Sequence, residues 1–194
     1  MRWEGLIGAC VIGLLVASVG ATEQDVLPAP WLRTGSATPA DKCRTSVSEV
    51  TATSFDRALV LRCAGVTSGF VTAMQQISAE DYRGKRVRLS AQVRGEAVKN
   101  WAGLWMRVDG DKGAVLAFDN MQNRPLKGTF GWQGASVVLD IAPDAKLVAF
   151  GVLQDGDGAT FAGRLNIETV GTDVPTTDAS HDLPRAPVNL SLKP

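Results

Sequence analysis

Alternation of apolar and polar residues is the dominant pattern along the middle of this chain. It is clearest over 85–94, where valine, leucine and alanine take one side and arginine, serine and glutamine take the other. Successive side chains of a strand point to opposite faces, so this period of two predicts a half-buried antiparallel strand. A sustained period of 3.6 is absent from the sequence, and the only helix predicted is a single turn over 78–82.

Strand patterns of this kind recur at short intervals, with turns rich in glycine and aspartate between them. The predicted strands are 43–50, 58–63, 70–77, 85–94, 101–109, 114–119, 132–140, 146–154 and 159–170. A turn over 110–113 and a hairpin turn over 155–158 join two adjacent pairs. Short strands without intervening helices predict an all-β fold, an antiparallel jelly-roll β-sandwich in which two sheets face each other.

The regions that flank this strand-rich part differ from it in composition. Residues 1–21 combine a positive start, an apolar run and small residues before a cleavage point, which predicts a signal peptide. We predict an extended lead-in over 22–40 and the β-sandwich domain over 41–170. A Pro-rich tail is predicted over 171–194. The apolar run is shorter than the roughly 20 residues that span a bilayer. We therefore expect an exported protein, periplasmic or secreted, with no transmembrane span in the mature chain; an uncleaved N-terminal anchor is the alternative.

Two cysteines, Cys43 and Cys63, remain once the predicted signal peptide is removed. Their even number and an oxidising compartment predict one disulfide between them. A metal site or a reactive thiol is the alternative, but the long spacing matches no zinc pattern and the only histidine, His181, is distant. Lys+Arg and Asp+Glu number 20 each, so the formal net charge is zero. Such a chain has no electrostatic basis for binding nucleic acid.

The most distinctive chemistry lies in the predicted strand over 101–109. One face of this strand is apolar, and the other carries Trp101, Trp105, Arg107 and Asp109. Aromatic rings stack on the apolar faces of sugars, and neighbouring charged groups bond to hydroxyls, so this second face predicts a ligand-binding site. The alternative is that one or both tryptophans fill the core of the sandwich and that the strand has the opposite phase.

Two further candidate ligand-binding residues, Asp119 and Asn120, end the next predicted strand. Their oxygen atoms suit a hydroxyl or a calcium ion. The alternative, which we favour, is a turn in which both side chains bond to their own backbone. Apart from calcium at this position, the sequence predicts no cofactor and no metal site.

No residue pattern predicts catalysis. His181 lies in the predicted tail, where no rigid scaffold holds it for a Ser-His-Asp arrangement, and no spacing selects a pair of carboxylates. We therefore expect a non-catalytic module that binds carbohydrate or another small polar ligand. The alternative is a protein-interaction or structural module of the bacterial envelope, with an envelope protein as its partner.

Several segments resemble a group of bacterial jelly-roll domains. The segments are GFVTAMQQISAEDYRGKRVRLSAQV, WAGLWMRVDG, LAFDNM and VVLDIAPDAKLVAFGVLQDGDG. These domains are similar to carbohydrate-binding modules, and they occur exported alone or fused to helix-turn-helix transcriptional regulators. The resemblance covers roughly 28–177 and implies a galactose-binding-like sandwich without a well-defined activity. Related domains carry an acidic pair near the start of the last strand, where this chain has Phe-Ala-Gly-Arg over 161–164, so any role of that pair is not carried over.

Overall fold

The computed structural model describes residues 27–51, 53–178, 187 and 190–191. The predicted signal peptide and most of residues 179–194 lie outside these described residues. The described strands are β1 (Leu32–Gly35), β2 (Cys43–Glu49), β3 (Arg57–Cys63), β4 (Phe70–Ser78), β5 (Arg86–Asp109), β6 (Val115–Asp119), β7 (Leu126–Asp140), β8 (Leu147–Asp155) and β9 (Gly158–Val170). Single 3-10 turns occupy Ala40–Lys42, Glu80–Tyr82 and Asp111–Gly113, and the second of them confirms the predicted helical turn.

The long strand β5 belongs to both sheets of the sandwich. Its second half, 101–109, pairs with β8 and β6, which completes a first sheet in the order β1-β4-β8-β5-β6. Its first half, 86–96, pairs with β7 and β9, which completes a second sheet in the order β7-β5-β9-β3-β2. All these pairs are antiparallel, so the predicted all-β sandwich is confirmed.

The predicted strands 85–94 and 101–109 are therefore two halves of one strand, and this is a correction. The register of β5 against β7 shifts repeatedly between Val93 and Ala102, and Ala97 has a φ of 50°. Bulges of this kind bend a strand without ending its hydrogen bonding. The break in alternation over 95–100 thus marks a bend that carries β5 from one sheet to the other.

The inner face of β5 has the phase that the sequence predicts. In the second half of the strand, Leu104, Met106 and Val108 are fully buried and belong to the same core cluster as Val87 and Leu89 from the first half. Because side chains alternate along a strand, the residues between them point away from this core. The second face of 101–109 therefore lies on the outside of the first sheet.

Two strands and one turn also differ from the prediction. β1 lies within the predicted lead-in and pairs with β4; its four residues are all exposed, so it has no apolar face that a pattern could detect. β7 begins at Leu126, well before the predicted 132, because its first part follows the bend of β5. The turn over 155–158 joins β8 to β9, but these strands lie in different sheets, so the turn is not a hairpin.

The disulfide between Cys43 and Cys63 is confirmed. The two residues lie directly opposite each other in the β2–β3 ladder, with Cα atoms 4.1 Å apart. Both side chains are buried in the main core cluster. The bond therefore connects two neighbouring strands at one end of the second sheet.

Two arginines hold the described part of the C-terminal segment. Arg86 donates hydrogen bonds to the carbonyl oxygens of Thr172 and Val174 and forms a bidentate pair with Asp140, whose hydrogen bond raises the pKa of Arg86. Arg124 donates to the carbonyl of Thr177, and Thr177 in turn bonds to the backbone of β7. Residues 171–178 are thus attached to the sandwich. Among the described residues, no helix is both long and apolar enough to cross a membrane.

We expect removal of the disulfide to lower the stability of the sandwich. The bond joins residues 20 positions apart. Closing such a loop lowers the conformational entropy of the unfolded chain, which stabilises the folded protein by about 3 kcal/mol. Replacing both cysteines by alanine should lower the free energy of unfolding by about that amount in a urea titration. The wild type in reducing agent, once its bond is broken, should match the variant. An unchanged unfolding midpoint in the variant would contradict this expectation.

Candidate functional site

A groove of about 290 Å³ lies on the outer face of the first sheet. Adjacent strands contribute its lining, which we call the outer groove: Thr34, Phe70, Met74, Gln76, Trp105, Arg107, Phe118 and Leu153. Most of these side chains are apolar or aromatic, and a few carry polar groups. This is the usual composition of sites for small ligands, in which apolar contacts supply affinity and polar groups supply orientation.

Trp105 forms the floor of the outer groove. Its partner across the ladder is Gly151 of β8, and its indole Nε1–H donates to Thr72 Oγ1 on β4 at 2.7 Å. Because β8 lies between β5 and β4, this hydrogen bond reaches across β8. Trp105 is only 8% exposed and packs with Met74 and Leu153. It faces outward as predicted, yet it is a buried floor with its N–H group occupied internally, rather than an open stacking platform.

Arg107 lies at the edge of the groove and is held by Asp109. Arg107 Nη2 lies 2.9 Å from Asp109 Oδ2, and Arg107 Nε also donates to this oxygen. The Asp109 side chain is almost buried and does not line the groove, whereas 41% of the Arg107 side chain is exposed. Arg107 Nη1 has no hydrogen-bond partner in the described part of the chain. Asp109 therefore orients a guanidinium group that still has N–H groups to offer a ligand.

Trp101 lies on the same face as Trp105 but outside the groove. It is partly buried against the same small cluster, opposite Asp155 of β8. The strand thus places all four predicted residues on or beside one surface, and only Trp105 and Arg107 meet in the outer groove.

Asp119 and Asn120 build the connection between β6 and β7. Asp119 Oδ1 accepts a hydrogen bond from the Met121 amide at 2.8 Å, and Arg124 donates to both carboxylate oxygens, at 2.6 and 3.1 Å. Asn120 Oδ1 accepts from the amide of Gln122. These bonds are those of the turn alternative. Across the described residues, no group of three or more His, Cys, Asp and Glu side chains is placed to hold a metal ion.

The structure adds groove residues that the sequence pattern does not single out. Phe118 is 45% exposed and lies opposite Arg107 in the β5–β6 ladder. Phe118 lies in the predicted strand 114–119, which a short turn joins to 101–109. Pairing these two strands as a hairpin would have placed Phe118 beside Arg107. Phe70 and Leu153 come from β4 and β8, and their approach to Trp105 depends on the order of strands in the sheet, which the sequence does not predict.

Comparison with known sequences gives one relative and no family model that matches. The relative is an uncharacterised HTH-type transcriptional regulator of Bacillus subtilis (strain 168), YbfP, which is 41% identical over 126 residues. These residues make up 64% of this chain and 43% of the regulator, so the chain spans less than half of the curated relative it matches. The expected likeness to a domain found in transcriptional regulators is confirmed.

Solved structures with the same fold include a binding module and an enzyme. The C-terminal family 22 carbohydrate-binding module of Clostridium thermocellum Xyn10B has a TM-score of 0.50 and 14% identity, over 76% of this chain and 89% of the module. The enzymatically active domain of tailspike protein 4 of bacteriophage CBA120 has a TM-score of 0.57 and 12% identity, over 76% of this chain and 20% of that chain. At such identities the likeness establishes the fold alone, an antiparallel β-sandwich.

We expect Trp105 to contribute to stability as well as to the groove. Trp105→Phe removes the hydrogen bond to Thr72 and part of the ring, which should lower the free energy of unfolding by about 1–2 kcal/mol. Trp105→Ala should lower the free energy of unfolding by about 3–5 kcal/mol, because it also leaves a cavity. Trp101→Phe is the matched control, since Trp101 is more exposed and its indole has no hydrogen-bond partner among the described residues. Equal unfolding midpoints for Trp101→Phe and Trp105→Phe would contradict this assignment.

Proposed function

We propose that this chain is an exported, non-catalytic module that binds a carbohydrate, or another small polar ligand, in the outer groove. The observation that carries the proposal is the combination of aromatic walls, Phe70 and Phe118, with the guanidinium of Arg107 above an apolar floor. Sugar rings have apolar C–H faces that suit aromatic surfaces and hydroxyl edges that accept hydrogen bonds. The similar fold of a carbohydrate-binding module supports the proposal only at the level of the scaffold, since one fold hosts many functions.

The lining of the outer groove also supports a role without catalysis. Glycoside hydrolysis generally uses two carboxyl groups on either side of the scissile bond. The described residues that line the groove include no Asp, Glu or His. The nearest candidate, Asp109, is almost buried and paired with Arg107. A sugar in this groove would therefore meet a hydrogen-bond donor, but no general acid or base.

Export is the second part of the proposal. Its support is the signal-peptide pattern over 1–21 and the disulfide between Cys43 and Cys63, because disulfides persist in oxidising compartments. When the full sequence is expressed in a bacterial host, we expect the mature protein to begin at Thr22. Intact-mass measurement of the periplasmic and medium fractions checks this, and a chain that keeps Met1 would contradict it.

A second candidate function is contact with an envelope protein, and the edge strand β6 favours it. Among the described strands it pairs with β5 alone, and it exposes Val115, Leu116 and Phe118. Exposed apolar residues on a sheet edge are a common feature of protein-interaction surfaces. Phe118 belongs to both candidate surfaces, whereas Val115 belongs only to the second.

We expect Phe118→Ala to weaken ligand binding at least tenfold, because it removes one aromatic wall of the groove. The measurement is calorimetric titration of the mature protein with a panel of neutral oligosaccharides. Val115→Ala is the matched control, since it shortens another exposed apolar side chain of the same strand, outside the groove.

The pattern across these variants decides between the two functions. Affinity that is lost in Phe118→Ala and kept in Val115→Ala supports the groove. Equal losses in the two variants, or affinity that Phe118→Ala leaves unchanged, would contradict it. If no sugar of the panel binds to folded protein, the carbohydrate proposal fails for that panel and the protein-contact function becomes the better account.

A further inference from the structure

A second cleft lies on the opposite side of the sandwich from the outer groove. It has a volume of about 660 Å³ and lies on the outer face of the second sheet, where β5 runs between β7 and β9. We call it the polar cleft. Its polar side chains come from three strands: Arg88, Ser90 and Gln92 of β5, Ser136 of β7, and Arg164 and Asn166 of β9.

Most of these polar side chains have no partner within the protein. The side chains of Ser90, Gln92, Ser136, Arg164 and Asn166 make no hydrogen bond or ion pair with any of the residues that the structure describes. Gly134 and Ala135 of β7 add only small residues to this surface. Two hydroxyls, two amides and a guanidinium therefore converge on one space with their bonding capacity unused.

A bulge in β9 directs Arg164 into this space. Ser90 pairs with Asn166 and Gln92 pairs with Gly163, so Arg164 and Leu165 together face the single residue Ala91. Arg164 has a φ of 51°, a left-handed conformation that favours glycine. Bulges and strained residues of this kind are frequent at binding sites, where they aim a side chain at a ligand.

The charges around the polar cleft suit a ligand with a single negative charge. Arg88 is neutralised by Glu168, which accepts hydrogen bonds from Arg88 Nε at 3.0 Å and from Nη2 at 2.7 Å. Arg164 is then the cation left without a carboxylate partner among the described residues. The fork of its N–H groups matches a carboxylate in bidentate geometry. A phosphate monoester carries close to two negative charges at neutral pH, and Arg164 alone would neutralise only one of them.

We infer that the polar cleft binds a saccharide that carries a carboxylate, a unit of the uronic acid class. Arg164 holds the carboxylate, and the hydroxyls of Ser90 and Ser136 and the amides of Gln92 and Asn166 bond to the hydroxyls of the sugar. Each of these four groups can both donate and accept, as sugar hydroxyls do. This site goes beyond the proposed function, because it lies on a different sheet from the outer groove and takes a charged ligand.

An acidic peptide fits the same surface less well. Peptides are generally recognised by strand addition at a free sheet edge or by pockets for apolar side chains. The stretch of β5 that forms the floor is paired on both sides, so it has no free backbone edge to offer. Leu165 is the largest apolar residue of the lining, which otherwise consists of small and polar residues.

The test compares two glycine substitutions that each remove one positive charge at a left-handed position. Arg164→Gly removes the cation of the cleft, and Lys112→Gly is the matched control, since Lys112 has a φ of 54° and lies in the turn between β5 and β6. The probes are the trimer of α-1,4-linked galacturonic acid and the corresponding neutral galactose trimer, titrated by calorimetry at low ionic strength. We expect the acidic trimer to bind the wild type and to lose at least tenfold in affinity in Arg164→Gly, but not in Lys112→Gly.

The other outcomes overturn the inference in separate ways. Equal binding by wild type and Arg164→Gly, or an equal loss in Lys112→Gly, excludes the polar cleft as the site. An oligoglutamate peptide that binds with the same dependence on Arg164 assigns the cleft to acidic peptides instead. An acidic trimer that fails to bind removes this inference alone, since neutral sugars test the outer groove independently. Urea unfolding confirms that each variant is folded, and Arg164→Gln replaces Arg164→Gly if the glycine variant is not.

Discussion

The two sheets of this sandwich are joined by one continuous strand, β5. A single hydrogen-bonded strand passes through both sheets, so the two layers cannot shift against each other without breaking its ladders. Its inward residues contribute to the core from both halves, and its outward residues define both candidate binding surfaces. Trp105 and Arg107 face one side of the sandwich, and Ser90 and Gln92 face the other.

The parts of the fold that follow from local alternation could be predicted from the sequence. The inward phase of 101–109 is an example, because the burial of Leu104, Met106 and Val108 depends only on which residues alternate along one strand. The disulfide is another, because the predicted oxidising compartment favours a bond and the two cysteines outside the predicted signal peptide allow one pairing. In both cases the signal lies within a short segment or in a simple count.

The features that could not be predicted depend on contacts between distant segments. The sequence marks Trp105 as an outward residue, but its burial follows from packing with Met74 of β4 and Leu153 of β8, and its indole bonds to Thr72 of β4. The polar cleft was hidden for a similar reason. Its residues fall on the polar side of clear alternation, which indicates ordinary solvent exposure, and the bulge at Arg164 appears only when β9 is aligned with β5.

The bridge from Trp105 to Thr72 has a consequence for how a ligand would bind. The indole is anchored at both ends, by its own backbone in β5 and by the hydroxyl on β4, and that hydroxyl also donates to the carbonyl of Val152 on β8. Three strands therefore hold the floor of the outer groove in one conformation before any ligand arrives. Because the Trp105 side chain is already fixed, ligand binding costs little of its conformational entropy. More of the free energy of the contacts therefore contributes to affinity.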